Sequence, residues 1–238
     1  MCLLCLSCAA AIPGLVPPAV WLPYGKVGQS PTGVVADLTG GGFGPFAGQM
    51  FLGEFTLSQV NRVFLEQIGG EYQGAAFRFL DGFQCGPLSL AFLRDGSLLV
   101  GETNRGWNSR GSRSYGLERV RWTGIVPFAI RRMRAQPDGF LLEFTQPIEP
   151  AAAANPARYA MTSYTYLYHS KYGSPEIDPQ PVAIVRAEVA ADALSVRLTC
   201  AGLREGYVHE LALPGVWSQT GDSLEYPTAY YTLNRLPR

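Results

Sequence analysis

The run Glu102-Thr103-Asn104-Arg105-Gly106-Trp107-Asn108-Ser109-Arg110-Gly111 is a glycine-bounded polar loop that follows an apolar strand. Arg105 and Arg110 carry planar guanidinium forks that match a carboxylate or phosphate, and the flat face of Trp107 suits stacking on a sugar ring. The same residues also serve a plain connecting loop, in which the arginines hold backbone carbonyls and the indole packs inward. Further along, Tyr164, Tyr166 and Tyr168 alternate, so an extended backbone puts all three phenols on one face. Such a stripe is either a platform for carbohydrate or an interface toward a neighbouring domain, since tyrosine buries its ring and keeps its hydroxyl wet.

Other chemistries lack their parts. The two histidines, His169 and His209, fall short of a three-ligand metal site without added carboxylates or thiolates, and His209 sits inside an apolar strand where its ring satisfies a backbone group. Cys2, Cys5 and Cys8 cluster without a fourth ligand, and Cys85 and Cys200 stand apart with no base nearby. No nucleophile elbow occurs, and Gly40-Gly41-Gly42 reads as a turn between strands, not as a phosphate cradle opening a helix. No catalytic residue and no metal ligand is therefore assigned.

The 19 basic residues balance the 19 acidic ones, so no net field recruits nucleic acid or an anionic membrane. With 47% hydrophobic residues the chain is folded, not disordered. Residues 1–14 hold an apolar run ending in Ala9, Ala10 and Ala11, which reads as a remnant of an export signal or as a misassigned start. Export implies a periplasmic or extracellular protein. No later run reaches the roughly 20 apolar residues of a transmembrane helix.

The 27 glycines and 18 prolines punctuate short apolar runs, the texture of a many-stranded chain. Strands are expected at Met50 to Gly53, Val60 to Leu65, Tyr72 to Phe79 and Leu88 to Leu93, with Asp95-Gly96 turning the chain into Leu98 to Val100. The texture changes at Pro127. Beyond it, Phe140 to Phe144, Val182 to Val189, Leu194 to Cys200, His209 to Leu213 and Tyr230 to Leu233 recur at intervals that suit an Ig-like β-sandwich over 127–238.

In the first part, Gln29-Ser30-Pro31-Thr32-Gly33, Phe46 to Gly53, Val60-Asn61-Arg62-Val63 and Leu90 to Val100 follow one another in an order that resembles the last blades of glucose/sorbosone dehydrogenase-type β-propellers of planctomycete-type bacteria. A blade takes about 40 to 50 residues and a ring needs at least four. Residues 15–126 thus supply about two, and the resemblance implies that upstream blades or a partner chain complete the ring. Phe144-Thr145-Gln146-Pro147-Ile148, followed by Asn155-Pro156-Ala157-Arg158-Tyr159, resembles bacterial Ig-like modules. The expected fold class is all-β, a partial β-propeller followed by an Ig-like β-sandwich.

The resemblance implies pyrroloquinoline quinone (PQQ) and calcium as cofactors of a full-length parent, with a histidine base in an earlier blade. Within this chain it places Thr56 where the family has a quinone-binding lysine and Leu88 where it has an arginine. Neither side chain can neutralise a carboxylate. The chain alone is therefore read as a noncatalytic scaffold or a module that binds carbohydrate or protein, the alternative being a fragment of a quinone-dependent sugar or aldehyde dehydrogenase.

Overall fold

Turn residues recur too often in this sequence for long helices, and among the described residues the regular structure is almost entirely antiparallel strand. The structure, a computed structural model, describes residues 16–167 and 173–238. The strands are β1 (Pro31–Ala36), β2 (Met50–Glu54), β3 (Gln59–Ile68), β4 (Glu71–Asp81), β5 (Gly86–Phe92), β6 (Leu98–Thr103), β7 (Tyr115–Val120), β8 (Ile130–Gln136), β9 (Gly139–Phe144), β10 (Ala160–Tyr166), β11 (Glu176–Val189), β12 (Ser195–Ala201), β13 (Tyr207–Ala212) and β14 (Thr228–Leu233). A single-turn helix, α1 (Pro150–Ala153), starts on a proline, with the Glu149 carboxylate accepting the N–H groups of Ala151 and Ala152.

The chain divides into two compact units that are each discontinuous in sequence: Gly25–Phe64 with Ala76–Pro127, and Met1–Tyr24 with Leu65–Ala75 and Phe128–Arg238. Strands β3 and β4 run from one into the other, and the turn at Gly69-Gly70 that joins them belongs to the second.

In the first unit β1, β2, β3 and β4 form an antiparallel meander, and β5, β6 and β7 form a separate three-stranded sheet. The two sheets pack closely because small residues line the contact. A Cβ on Gly33 would lie 2.9 Å from the Leu88 carbonyl oxygen, so β1 and β5 approach backbone to backbone. Beside this contact the rings of Phe43, Phe51, Phe79 and Phe92 meet edge to face or tilted at centroid distances of 4.8 to 5.9 Å. Each such pair adds about 0.5–1.5 kcal/mol beyond its buried area. Arg62 is buried in the same core, its guanidinium 4.0 Å from the Phe46 ring centroid and 4.3 Å from that of Phe77, and it donates to Gln49 Oε1.

The second unit is built around the long strand β11. Its residues from Glu176 to Val182 pair with β10 and those from Ala183 to Val189 pair with β12. That switch separates one sheet, β11-β10-β13-β14, from another, β11-β12-β9-β8. The two sheets meet face to face where Phe140 of β9 lies 5.1 Å from Tyr231 of β14 and 5.6 Å from His209 of β13. Alternation explains the contact, since Phe140, Leu142 and Phe144 are buried on one side of β9.

The chain is thus all-β, as the sequence leads one to expect. Among the described residues the strands close no barrel and no ring of blades.

Candidate functional site

Strand β6 ends at Thr103, and the loop to β7 is held by one amide. Asn104 Nδ2 donates to the carbonyls of Gly111 and Arg113 at 2.9 and 2.8 Å, while its Oδ1 accepts the Ser109 N–H at 3.2 Å. Asn104 therefore crosslinks both ends of the loop. Gly106 has φ of 79°, which a residue with a Cβ adopts only under strain. The loop then lies along two neighbouring turns: Arg110 N–H donates to Thr56 O, Gly111 N–H to Ser58 Oγ and Arg113 N–H to Gln84 O, at 2.8 to 3.0 Å.

Trp107 is fixed by the same ground. Its Nε1 donates to Thr56 Oγ1 at 3.2 Å, and Thr56 in turn donates to Ser30 Oγ at 2.9 Å. The indole stays 56% exposed, so its orientation is set without its faces being buried. Asn104, Gly106, Trp107 and Asn108 line an open depression of about 480 Å³. A second depression, of about 490 Å³, lies at the other end of the loop and is lined by Ser58, Gln84, Arg110, Gly111 and Arg113 among others.

Two of the sequence-derived candidates, Trp107 and Arg110, therefore come together on one braced loop, with Arg105 exposed two residues before Trp107. Sequence reasoning missed Asn104, Asn108 and Arg113, whose roles depend on how the loop folds back. Thr56 was visible only as a departure from a family pattern. In space it is the residue that holds Trp107.

The tyrosine stripe is corrected by burial. Tyr164 and Tyr166 share a face, with ring centroids 5.8 Å apart, but they are 2% and 4% exposed and present no platform to solvent. Tyr164 donates to Glu210 Oε2 at 2.8 Å, and Trp21 covers Tyr166 at 5.1 Å. Burial pushes both phenols well above their ordinary pKa. The reason is topological: β10 lies between β11 and β13 in a sheet whose inner face is covered. Tyr168 and His169 lie outside the described residues.

His209 is fully buried and its Nε2 accepts the Arg204 N–H at 3.3 Å. Burial lowers its pKa to about 4, so it is neutral at ordinary pH. Burial also raises the thiols of Cys85 and Cys200 to about 11 and about 12, which leaves both protonated and unreactive. Among the described residues no group of three or more His, Cys, Asp and Glu side chains could hold a metal ion.

Beneath the loop lie two carboxyl groups. Glu102 of β6 and Glu118 of β7 share a face of their sheet, and they accept the consecutive N–H groups of Cys85 and Gln84 at 2.9 and 3.0 Å. Burial first, and then the neighbouring Glu118, raise the Glu102 pKa to about 7.

The two positions tied to a quinone do not fit one. Thr56 offers a neutral hydroxyl already engaged with Ser30 and Trp107, and Leu88 is an aliphatic side chain half exposed on β5. Neither supplies a cation for a carboxylate.

No family model and no curated protein matches the chain. Among solved structures, a crystal structure of the S-layer protein SbsC is similar over 46% of this chain and 14% of its own length, at 18% identity and a TM-score of 0.35. The N-terminal part of the bacterial S-layer protein SbsC is similar over 48% of this chain and 25% of its own, at 16% identity and the same TM-score. The chain therefore spans a quarter or less of these proteins, and a likeness this loose assigns neither fold nor function.

Proposed function

We propose that the chain is a noncatalytic, carbohydrate-binding part of an exported protein, built from blade-like sheets of a dehydrogenase-type propeller and an Ig-like sandwich. The meander β1 to β4 stacked on the sheet β5 to β7 supports the first assignment. The two sheets joined through β11 support the second.

Trp107 carries the functional reading. It is an exposed indole pinned through Nε1 by Thr56, beside two asparagines, over an open depression. Stacking on the apolar face of a pyranose needs a fixed, accessible ring, and amide side chains suit sugar hydroxyls. A ring fixed before binding also loses little rotamer freedom. The test is affinity electrophoresis of the whole chain through gels containing soluble polysaccharides. Retardation that is lost in Trp107→Ala, with an unchanged melting temperature, is the expected result. Equal mobility of wild type and Trp107→Ala in every gel overturns the reading.

A further inference from the structure

From Thr103 to Leu117 the chain carries Arg105, Arg110 and Arg113 and no Asp or Glu. All three arginines are exposed, and among the described residues their guanidinium groups make no ion pair, hydrogen bond or ring contact. Of the other arginines in this unit, Arg119 pairs with Asp95 and Arg78 with Asp81, while the exposed Arg94 and Arg121 fall at the opposite end of the β5-β6-β7 sheet from this loop. The loop arginines are thus uncompensated cations on a backbone that is itself immobilised, because Asn104, Thr56, Ser58 and Gln84 fix it at both ends.

Their placement is directional. Trp107 is tied to Thr56 through its indole nitrogen and Arg110 through its backbone N–H, so one residue sets both. Beyond Arg110, the second depression has Arg113 on its rim, and its one carboxylate, Asp81, is spent on Arg78. An aromatic and amide surface thus continues along a single loop into a basic one. A neutral sugar uses only the first half of that surface.

Resting on the carbohydrate reading above, we infer that the loop selects an anionic polysaccharide. One sugar stacks on Trp107, and the carboxylate or sulfate groups of neighbouring sugars lie against Arg110 and Arg113. Guanidinium suits both anions because its fork donates two parallel N–H bonds to a planar carboxylate or to two sulfate oxygens.

The experiment measures binding of the whole chain to polygalacturonate and to the same polymer fully methyl-esterified, to dextran sulfate and to dextran, and to phosphatidylglycerol vesicles. Binding of a charged polymer at least tenfold tighter than its neutral counterpart, weakening as salt rises from 50 to 300 mM, is the expected result. Arg110→Ala and Arg113→Ala should each lower that affinity by about tenfold, as loss of a charge-assisted hydrogen bond does. Equal binding of charged and neutral polymers overturns the anionic selection and leaves the carbohydrate reading standing. Binding to vesicles alone, or to nothing, overturns both.

Discussion

Both carboxylate oxygens of Glu54 accept the backbone N–H of Ser30, at 2.8 and 2.9 Å. The same fully buried side chain accepts Gln29 N–H at 2.8 Å and Thr56 N–H at 3.2 Å. It therefore ties the segment before β1 to the turn after β2, where Thr56 holds Trp107. Hydrogen bonds to an ionised acceptor contribute about 1.5–3 kcal/mol, and an amide presents an N–H₂ group where one oxygen is needed. Glu54→Gln should lower stability by about 2 kcal/mol in urea unfolding. It should also speed hydrogen exchange at Ser30 and Thr56 more than elsewhere. Wild-type exchange at both amides would show that the carboxylate is not the tie.

The strands of the first unit were legible because period-two patterning and turn residues act locally. Asp95-Gly96 joins β5 to β6, and Gly69-Gly70 joins β3 to β4. Trp107 and Arg110 were legible as a loop pair for the same reason. What escaped the sequence depends on contacts between distant segments. Alternation correctly put Tyr164 and Tyr166 on one face, yet it carries no information on whether Trp21, some 145 residues upstream, covers that face. Thr56 and Trp107 are 51 residues apart, and nothing in either local pattern announces their hydrogen bond.

Gly111 tests whether the loop must lie as close as it does. A Cβ there would fall 2.4 Å from the backbone carbonyl carbon and oxygen of Gln84, and backbone cannot step aside as a flexible side chain does. Gly111→Ala should destabilise the protein by about 1–3 kcal/mol and displace the neighbouring Arg110 and Arg113. The measurement is thermal unfolding together with amide chemical shifts, and shifts confined to residue 111 would contradict the close contact.

Arg62 is a buried cation stacked between Phe46 and Phe77, and burial lowers its pKa to about 9. Truncation leaves a cavity and removes the donor to Gln49 Oε1, so Arg62→Ala should cost about 3–5 kcal/mol. Replacing both ends of the Arg62–Gln49 contact is a different change. Arg62→Met combined with Gln49→Leu should unfold within about 1 kcal/mol of wild type, as apolar substitution of buried ionic groups often does. A double variant as unstable as Arg62→Ala would mean that the charge itself organises this core.

Glu102 makes the first unit less stable as pH rises. Its pKa is about 7 in the folded chain against 4.5 for an ordinary glutamate, so between those values the unfolded chain releases a proton that the folded chain retains. The penalty is absent below pH 4.5, grows toward pH 7 and is constant above it. It should reach about 2 kcal/mol, below the full linkage value because water screens the partly exposed Glu118 side of the pair. Glu102→Gln should flatten the fall between pH 4.5 and 7 in denaturant unfolding. An unchanged slope would place the titrating group elsewhere.

His209 gives the second unit the opposite dependence. Its pKa falls from 6.5 to about 4 because the imidazolium would be buried against Phe140 and within the field of Arg204. Above pH 6.5 the ring is neutral in both states and contributes no dependence. As pH drops from 6.5 to 4, the unfolded chain takes up a proton that the folded chain refuses, and stability is lost by about 3 kcal/mol in total. Between pH 4.5 and 6.5 acidification should therefore weaken the sheets around Phe140 and Tyr231 while strengthening those around Val100 and Glu102. Native-state hydrogen exchange at pH 5 and pH 7, corrected for intrinsic rates, reads the two regions separately. His209→Phe should remove the acid loss in the second unit alone, and a loss that persists in that variant would acquit the histidine.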